Sequence, residues 1–260
     1  MGGRYIIPLD LGDSTTDRSL SYLRMGMGEE EHGKRVAAYI GGAQKKILVD
    51  TGPPDLQHSL KYHPYSKSKP RKPEQEMAAQ LAKAGVKAEE IEIVLLTHLH
   101  WDHVGDVAKF PNAVFIVSKE ELRFALDPPP CLYLPYEALQ LGMEPKYLKI
   151  IERMKTVDMK EKEIVEGVRL IPLPGHTPGS MGVVVETEEG PYLIAGDAVP
   201  KYGNLKGDPD RHLSYLMGGI YTDMVAMWRS FELIDELVKH DFSRVIPGHD
   251  PRVFQKERYP

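Results

Sequence analysis

The sequence predicts an α/β protein, and three observations carry this prediction. Short β-branched and apolar runs, the pattern of buried strands, recur along most of the chain. Segments with helical periodicity lie between groups of these runs. Several of the runs end at His or Asp residues that stand beside glycine. We therefore expect strands and helices to follow one another along the chain, with polar side chains that gather where strands end.

The elements follow one another in a simple order. Residues 74–84 predict an amphipathic helix that Gly85 stops, Ser118 is a good N-cap for a second helix, and a third helix spans about residues 223–240. Apolar runs predict strands at residues 5–11, 36–40, 46–49, 91–97, 113–117, 168–174, 181–186, 192–195 and 243–246.

A basic, proline-rich segment at residues 53–73 predicts a long loop. One interpretation is a solvated surface loop. The other is a flap over a functional site that carries Tyr62, His63 and Tyr65. A second loop, rich in glycine, spans residues 200–221.

The chain is predicted to form a single domain, residues 1–260, with an insert at about residues 127–160. Residues 136–155 carry helical periodicity with few turn signals. Because the insert interrupts the series of core strands, it is a candidate lid or dimerisation contact, so a homodimer is one expected assembly.

Composition excludes several classes of protein. The net charge of −5 gives no general attraction to nucleic acid or to an anionic membrane, so neither is an expected partner. No run of eighteen apolar residues is present. One cysteine cannot form an intramolecular disulfide, and no charged-then-apolar leader opens the sequence. We expect a cytoplasmic protein that acts on a small molecule.

The segment THLHWDHVG, residues 97–105, carries the strongest chemical signal. It follows an apolar strand and brings three histidines and one aspartate into six residues. Four such groups would crowd one ion, whereas two ions can share them. Imidazole and carboxylate ligands suit zinc best, with iron, manganese or cobalt as alternatives. The alternative interpretation is a polar loop with solvated histidines.

A second polar strand end holds Asp50, in the sequence VDTG. This carboxylate could bind a metal, orient a ligand histidine by accepting its second N–H, or cap a turn. The orienting role is the one that a lone carboxylate beside a histidine cluster favours.

Seven His and Asp residues stand at or after predicted strand ends: His98, His100, Asp102, His103, His176, Asp197 and His249. Taken together, they resemble the ligand set of the metallo-β-lactamase-fold hydrolase superfamily. The resemblance implies a four-layer αββα sandwich with a dinuclear metal site at one edge of two facing sheets. It also implies that His98, His100 and His176 would hold one metal, Asp102, His103 and His249 the other, and that Asp197 would bridge.

Within that superfamily, the layout is most similar to the N-acyl homoserine lactone lactonases. The lactamases proper have Cys where Asp197 stands, which disfavours their activity. The resemblance implies that a metal-bridging hydroxide opens a small lactone, with Asp102 aiming the hydroxide. Those lactonases carry a catalytic Tyr at the place of Pro200, so the sequence departs from them there, and Tyr202 is the expected substitute as proton donor.

The residues expected to line the substrate pocket are Trp101, Tyr202, Met217 and Tyr221. Trp101 stands in the sequence between the expected metal ligands His100 and Asp102. Two other functions stay open. A thioesterase similar to glyoxalase II or a phosphodiesterase would use the same metals, and an anionic substrate would need the basic loop at residues 61–72 to face the pocket. The second of these functions is not enzymatic: a hydrolase that has lost its activity and acts as a sensor or an assembly subunit.

Overall fold

A computed structural model describes residues 3–260 and contains two β-sheets that face each other. The first sheet has the order β1-β2-β3-β4-β5-β6. Strands β1, β2 and β3 pair antiparallel, whereas β3 to β6 run parallel to one another. The strands are β1 (Tyr5–Asp17), β2 (Glu30–Gly41), β3 (Ile47–Val49), β4 (Ile93–Leu95), β5 (Val114–Ser118) and β6 (Met154–Val157).

The second sheet has the order β11-β10-β9-β8-β7. Its neighbouring strands pair antiparallel except β10 and β11, which are parallel. Parallel strands end at the same edge of a sheet, so the residues that follow β10 and β11 lie together. The strands are β7 (Lys162–Val165), β8 (Val168–Pro172), β9 (Met181–Thr187), β10 (Gly190–Gly196) and β11 (Val245–Pro247).

Side-chain alternation along the strands builds a core on each face of each sheet. In β2, Val36, Ala38 and Ile40 point into the core between the sheets. Ala37 and Tyr39 point to the opposite face, where they meet the helices that cover the first sheet. This alternation makes four layers, so the predicted αββα sandwich is confirmed.

Six α-helices lie within residues 3–260, and two of them illustrate how the outer layers pack on the sheets. The helix α3 packs Met77 and Leu81 against the first sheet, and α6 packs Met227 and Phe231 against the second. The helices are α1 (Arg18–Ser21), α2 (Leu56–Tyr62), α3 (Met77–Lys83), α4 (Lys119–Leu126), α5 (Tyr202–Lys206) and α6 (Met224–Val238).

The predicted cap of α4 is confirmed. Ser118 Oγ accepts a hydrogen bond from the backbone N–H of Glu121 at 2.9 Å. The first two strands are longer than predicted, and strands β6 and β7 were not predicted. Residues 3–260 include no helix of the length and apolarity that a membrane crossing needs.

The prediction of a helix over residues 136–155 is wrong. Two 3-10 segments, Leu139–Leu141 and Lys146–Arg153, occupy this stretch, and strand β6 follows. Gly142 separates the two segments because it adopts a left-handed conformation with φ of 70°. Some of the apolar residues that suggested a helix are nevertheless buried, such as Tyr147 and Ile150, whereas Leu139 and Leu141 are exposed.

The segment at residues 53–73 is more regular than a loop. It contains helix α2 and a 3-10 turn, Pro64–Ser66. Asp55 caps α2 by accepting from the backbone N–H of His58 at 2.9 Å. The segment therefore has a defined conformation on one side of the site described next.

Candidate active site

The seven residues of the predicted ligand set come together at one edge of the two sheets. His98 to His103 follow β4, His176 follows β8, Asp197 follows β10, and His249 follows β11. Each approach needs a small residue beside it. At Gly248, an added Cβ would lie 2.4 Å from Asp197 Oδ1, so glycine is required for the carboxylate to enter.

Three imidazoles converge in the first part of this cluster. His176 Nε2 lies 3.2 Å from His98 Nε2 and 3.0 Å from His100 Nδ1. His176 Nδ1 lies 3.0 Å from the carbonyl of Ile220, so this nitrogen carries the proton and Nε2 presents a lone pair. Because nitrogen lone pairs repel one another, their convergence fits a shared cation.

The second part of the cluster contains two imidazoles and two carboxylates. Asp197 Oδ1 lies 3.2 Å from His103 Nε2 and 3.0 Å from His249 Nε2. Asp102 Oδ2 lies 3.7 Å from His249 Nε2. Asp197 Oδ2 also lies 3.6 Å from His176 Nε2, so this carboxylate touches both parts of the cluster.

The tautomers of the second pair of imidazoles are fixed by groups outside the cluster. His249 Nδ1 donates to the carbonyl of Lys34 at 2.8 Å. His103 Nδ1 donates to Asp50 Oδ2 at 2.8 Å. Both residues thus present an Nε2 lone pair inward, which is the arrangement that metal-binding histidines adopt.

Some buried polar atoms of the cluster have no hydrogen-bond partner, which indicates that they bind ions. Within residues 3–260, His103 Nε2 and Asp197 Oδ1 are buried without a hydrogen-bond partner. Such groups are costly unless something binds them. The sets His98, His100, His176 and Asp102, His103, His249 each bring their ligand atoms within 4.8 Å of one another. A donor set of imidazole nitrogen and carboxylate oxygen fits divalent ions such as zinc.

The electrostatics of the two parts differ. Burial lowers the pKa of His98 and His100 well below the ordinary value, so both are neutral at physiological pH. Burial acts in the same direction on His103, but the carboxylates of Asp197, Asp50 and Asp102 outweigh it and raise the pKa of that imidazole. The second part of the cluster therefore attracts positive charge.

Asp50 occupies the position that an orienting carboxylate requires. The backbone N–H and the hydroxyl of Thr97 each donate to it at 2.8 Å, and His103 Nδ1 is its third partner. Both carboxylate oxygens are thus engaged away from the cluster. Asp50 lies in the left-handed region with φ of 57°, a conformation that aspartate tolerates better than most residues.

Arg35 is a functional candidate that the sequence reasoning missed. It extends from β2 and donates a hydrogen bond to Asp102. Burial raises the pKa of Asp102, but the Arg35 charge outweighs it and lowers that pKa to about 2. The guanidinium lies 5.1 Å from the ring centroid of Trp101. No local pattern singles out Arg35, because it is a charged residue next to an ordinary apolar strand.

The other face of Trp101 packs on a second group of histidines, which we call the Glu137 cluster: His58, His63 and Glu137. The rings of His63 and Trp101 stack 3.9 Å apart at an angle of 4°. Glu137 Oε1 lies 2.5 Å from His58 Nε2 and 3.0 Å from His63 Nε2. This cluster therefore connects helix α2 to the insert and supports Trp101 from behind.

An open cavity leads to the seven-residue cluster. Trp101 lies in its wall, as predicted, and so does Tyr65 from the 53–73 segment. Tyr65 Oη accepts a hydrogen bond from Trp101 Nε1 at 3.3 Å. Pro135 brings the insert to the same wall. The remaining contributions come from residues such as Pro200 and Ile220.

Three of the residues expected to line the substrate pocket lie elsewhere. Tyr202 begins α5 and packs under Arg252, whose guanidinium is 5.1 Å from its ring, because the backbone N–H of Tyr202 is held by Asp250 at 2.9 Å. Met217 packs beside Trp228 at the outer helix α6. Tyr221 is 37% exposed and does not line the cavity, whereas the preceding residue, Ile220, does.

Comparisons with known proteins agree with this geometry. Residues 33–249 match the model of the metallo-beta-lactamase superfamily. An N-acyl homoserine lactonase from a Bacillus species is 32% identical over 214 residues, which cover 78% of this chain and 76% of the relative.

Two solved structures share the fold. One is an N-acyl homoserine lactone hydrolase with the product N-hexanoyl-L-homoserine at its catalytic metal centre; it has a TM-score of 0.74, 21% identity, and coverage of 98% of this chain and 96% of that one. The other is AidC, a dizinc quorum-quenching lactonase, with a TM-score of 0.72, 20% identity, and coverage of 96% and 89%.

Proposed function

Because the chain belongs to the metallo-beta-lactamase superfamily, we propose that it is a metal-dependent hydrolase that opens N-acyl homoserine lactones, a quorum-quenching activity. The observation that carries the proposal is the convergence of the seven His and Asp side chains, with inward lone pairs, at the end of an open cavity. The identity of 32% to a Bacillus N-acyl homoserine lactonase supports the choice of substrate.

We assign the ligands in two sets joined by one carboxylate. His98, His100 and His176 would hold one divalent ion and Asp102, His103 and His249 the other. Asp197, which contacts histidines of both sets, would bridge them. Zinc is the proposed metal, since imidazole and carboxylate ligands without a thiolate suit it. Such ions supply a nucleophile at neutral pH and polarise a carbonyl.

The protein's own residues would position the lactone. Trp101, Pro200 and Ile220 line the cavity and give it apolar surface for a ring or acyl chain. The hydrogen bond from Arg35 fixes the rotamer of Asp102 and keeps this carboxylate ionised. Asp102 would therefore stay ionised and accept a hydrogen bond that orients the attacking water.

Tyr65 takes the role that Tyr202 was expected to have. Its phenol oxygen accepts the indole N–H of Trp101, so its own proton is free to point into the cavity. Burial and the negative charge of Asp102 raise the pKa of Tyr65 to about 12, so the phenol stays protonated at neutral pH. We propose that Tyr65 donates this proton, as a hydrogen bond or by transfer, to the alkoxide oxygen that leaves when the ring opens.

The insert at residues 127–160 contributes to the same site in this proposal. Pro135 lines the cavity, and its carbonyl accepts a hydrogen bond from the backbone N–H of Trp101 at 2.9 Å. These contacts favour a lid within the single domain. The exposed side chains of Leu139 and Leu141 support a homodimer contact as a second role. The free, exposed Cys131 is compatible with the cytoplasmic location that we propose.

The basic loop gives no support to the phosphodiesterase alternative. Lys67 pairs with Glu30 at 2.7 Å on the surface, and Arg71 pairs with Asp106 at 3.0 Å. The side chains that the segment offers to the cavity are Tyr65 and Ser66, which are uncharged.

The test is a substrate panel with the zinc-loaded protein: N-hexanoyl homoserine lactone, a γ-lactone, a thioester and a phosphodiester. We expect lactone turnover together with about two metal ions per chain, and loss of both in Asp197→Asn. Asp158→Asn, at an exposed aspartate, is the matched control. Thioester or phosphodiester turnover with inert lactones would overturn the substrate class, and turnover that survives in Asp197→Asn would overturn the ligand assignment.

A further inference from the structure

Two buried cations line the cavity beside the seven-residue cluster. The side chains of Arg35 and Lys201 are 7% and 3% exposed, and both residues belong to the cavity wall. Buried cations are costly unless their charge and their donors are used. The metal ligands do not require Lys201, and its place in the wall has no role in the hydrolysis described above.

Only some of the N–H donors of Arg35 and Lys201 have hydrogen-bond partners among residues 3–260. Arg35 donates from Nη1 to Asp102, while its Nε is buried and has no hydrogen-bond partner among residues 3–260. Lys201 Nζ donates to the carbonyl of His32, but its nearest carboxylate, Glu31, is 3.8 Å away, beyond hydrogen-bond length. A guanidinium has five N–H donors and an ammonium three, so several remain for a ligand.

The backbone at Gly33, two residues before Arg35 in the same strand, leaves a space beside Lys201. A Cβ at this position would lie 2.9 Å from Ser14 Oγ, 3.7 Å from Lys201 Nζ and 3.6 Å from the carbonyl of His249. Gly33, Ser14 and Thr16 all line the cavity. The absence of a side chain at residue 33 thus keeps open a volume that a hydroxyl and an ammonium border, directly beside a proposed metal ligand.

We propose that Arg35, Lys201 and Ser14 form a carboxylate-binding subsite, and that the preferred lactone carries a carboxylate that sits over Gly33. The proposal rests on the lactone hydrolysis proposed above and extends it from the uncharged N-acyl homoserine lactones to lactones that carry a carboxylate. A carboxylate offers two oxygens with several lone pairs, which match a guanidinium, an ammonium and a hydroxyl together.

The charges of the wall favour a single negative charge over a phosphate dianion. Asp102 pairs with Arg35, and Glu31 lies 3.8 Å from Lys201, so each positive charge is already partly neutralised. One further carboxylate would neutralise the remaining positive charge at Lys201, whereas a dianion would carry more negative charge than the wall can neutralise. Burial lowers the pKa of Lys201, and a bound carboxylate would act in the opposite direction.

The first experiment compares two γ-lactones that differ only in one substituent, a ring carboxylate in one and the uncharged carboxamide in the other. The measured quantity is the ratio of their kcat/KM values. We expect the wild-type ratio to favour the carboxylate by about tenfold or more, which is the size of one or two charge-assisted hydrogen bonds. In Lys201→Met the ratio should fall toward one, and in Lys201→Arg it should be partly restored.

Two more variants locate the subsite. Gly33→Ala should lower the same ratio, because its methyl group fills the space beside Ser14. Lys206→Met, at an exposed lysine of α5, is the matched control and should keep the wild-type ratio. Thermal unfolding of each variant verifies that it is folded before its ratio is used.

The second experiment is calorimetric binding of glutarate, a dicarboxylate that cannot be hydrolysed, with butyrate as the monocarboxylate reference. Tighter binding of glutarate in the wild type that is lost in Lys201→Met supports the subsite even if every lactone is inert, in which case the proposed function alone fails. A wild-type ratio near one, equal binding of glutarate and butyrate, or preference for a phosphorylated lactone over the carboxylated one would overturn the proposal.

Discussion

Two groups of buried histidines lie on opposite sides of Trp101, and they use the same residue types in opposite ways. In the seven-residue cluster, outside partners hold the Nδ1 protons of three histidines, so their Nε2 lone pairs point into the cluster. In the Glu137 cluster, the Nε2 atoms of His58 and His63 both point at one carboxylate oxygen, at hydrogen-bond lengths of 2.5 Å and 3.0 Å.

The comparison shows that the direction of the imidazole protons separates the two chemistries. In the Glu137 cluster, a carboxylate oxygen already lies within hydrogen-bond distance of the Nε2 atom of each histidine, although His63 Nδ1 is buried without a partner among residues 3–260. The lone pairs of the other cluster have no proton to accept, so an ion is the partner that fits them. We therefore expect metal binding and catalysis to depend on one cluster and folding stability on the other.

The largest effect is expected from His98→Ala. Removal of one ligand nitrogen should release metal and lower lactone turnover by about a thousandfold or more, because several kcal/mol of transition-state stabilisation depend on the ions. His58→Ala should keep about two metal ions per chain. Metal analysis and turnover of both variants test this contrast, with His240→Ala, at a largely exposed histidine, as the control. Loss of metal in His58→Ala would remove the distinction between the clusters.

A smaller effect is expected from Asp50→Asn. The change removes the charge that holds the Nδ1 proton of His103 and aligns its ring. Loss of such an outer partner weakens metal affinity by about 10- to 100-fold. Competition with a chelator of known affinity measures this change, and Asp158→Asn serves again as the exposed control. An unchanged metal affinity would show that the orientation of His103 does not depend on the charge of Asp50.

The smallest effect is expected from Glu137→Gln, which keeps the shape of the side chain and removes its charge. Hydrogen bonds to His63 and His58 outweigh burial and hold the pKa of Glu137 below its ordinary value of 4.5. A lowered folded-state pKa contributes stability above the unfolded-state pKa, and this stability is lost as pH falls. We expect Glu137→Gln to lower the free energy of unfolding by about 1–3 kcal/mol at pH 7, with metal content unchanged.

The pH dependence sharpens this expectation. The stability difference between wild type and Glu137→Gln should shrink as pH falls below about 4.5, since the carboxylate of the wild type then becomes protonated. Urea unfolding at a series of pH values measures the difference. Glu144→Gln, at an exposed glutamate of the same insert, should match the wild type throughout. A difference that is constant with pH would show that the charge of Glu137 is not what stabilises the fold.

Short-range periodicity predicted most of the strands and the polar side chains at their ends, whereas the four layers were expected from the resemblance to the metallo-β-lactamase fold. The run of residues 97–105 is local, and the strands that end at His176, Asp197 and His249 are recognisable one by one. The helix predicted over residues 136–155 was wrong because burial of Tyr147 and Ile150 produced helical spacing without a continuous helix.

The cavity wall could not be predicted in the same way. Tyr202 lies five residues after Asp197, but the hydrogen bond from its N–H to Asp250 turns it toward Arg252. Arg35 and Tyr65 reach the site only because distant strands and loops meet there. Contacts between residues far apart in sequence decide where such side chains point, and no local pattern encodes them.

The position of Trp101 gives the protein a built-in optical signal. The sequence contains two tryptophans, and the second, Trp228, lies on the outer helix with its indole N–H bonded to Glu232 at 3.0 Å. Trp101 is 3% exposed and is held between the ring of His63 and the guanidinium of Arg35. Its fluorescence therefore responds to any ligand that moves Arg35 or Tyr65, while Trp228 provides a constant reference within the same chain.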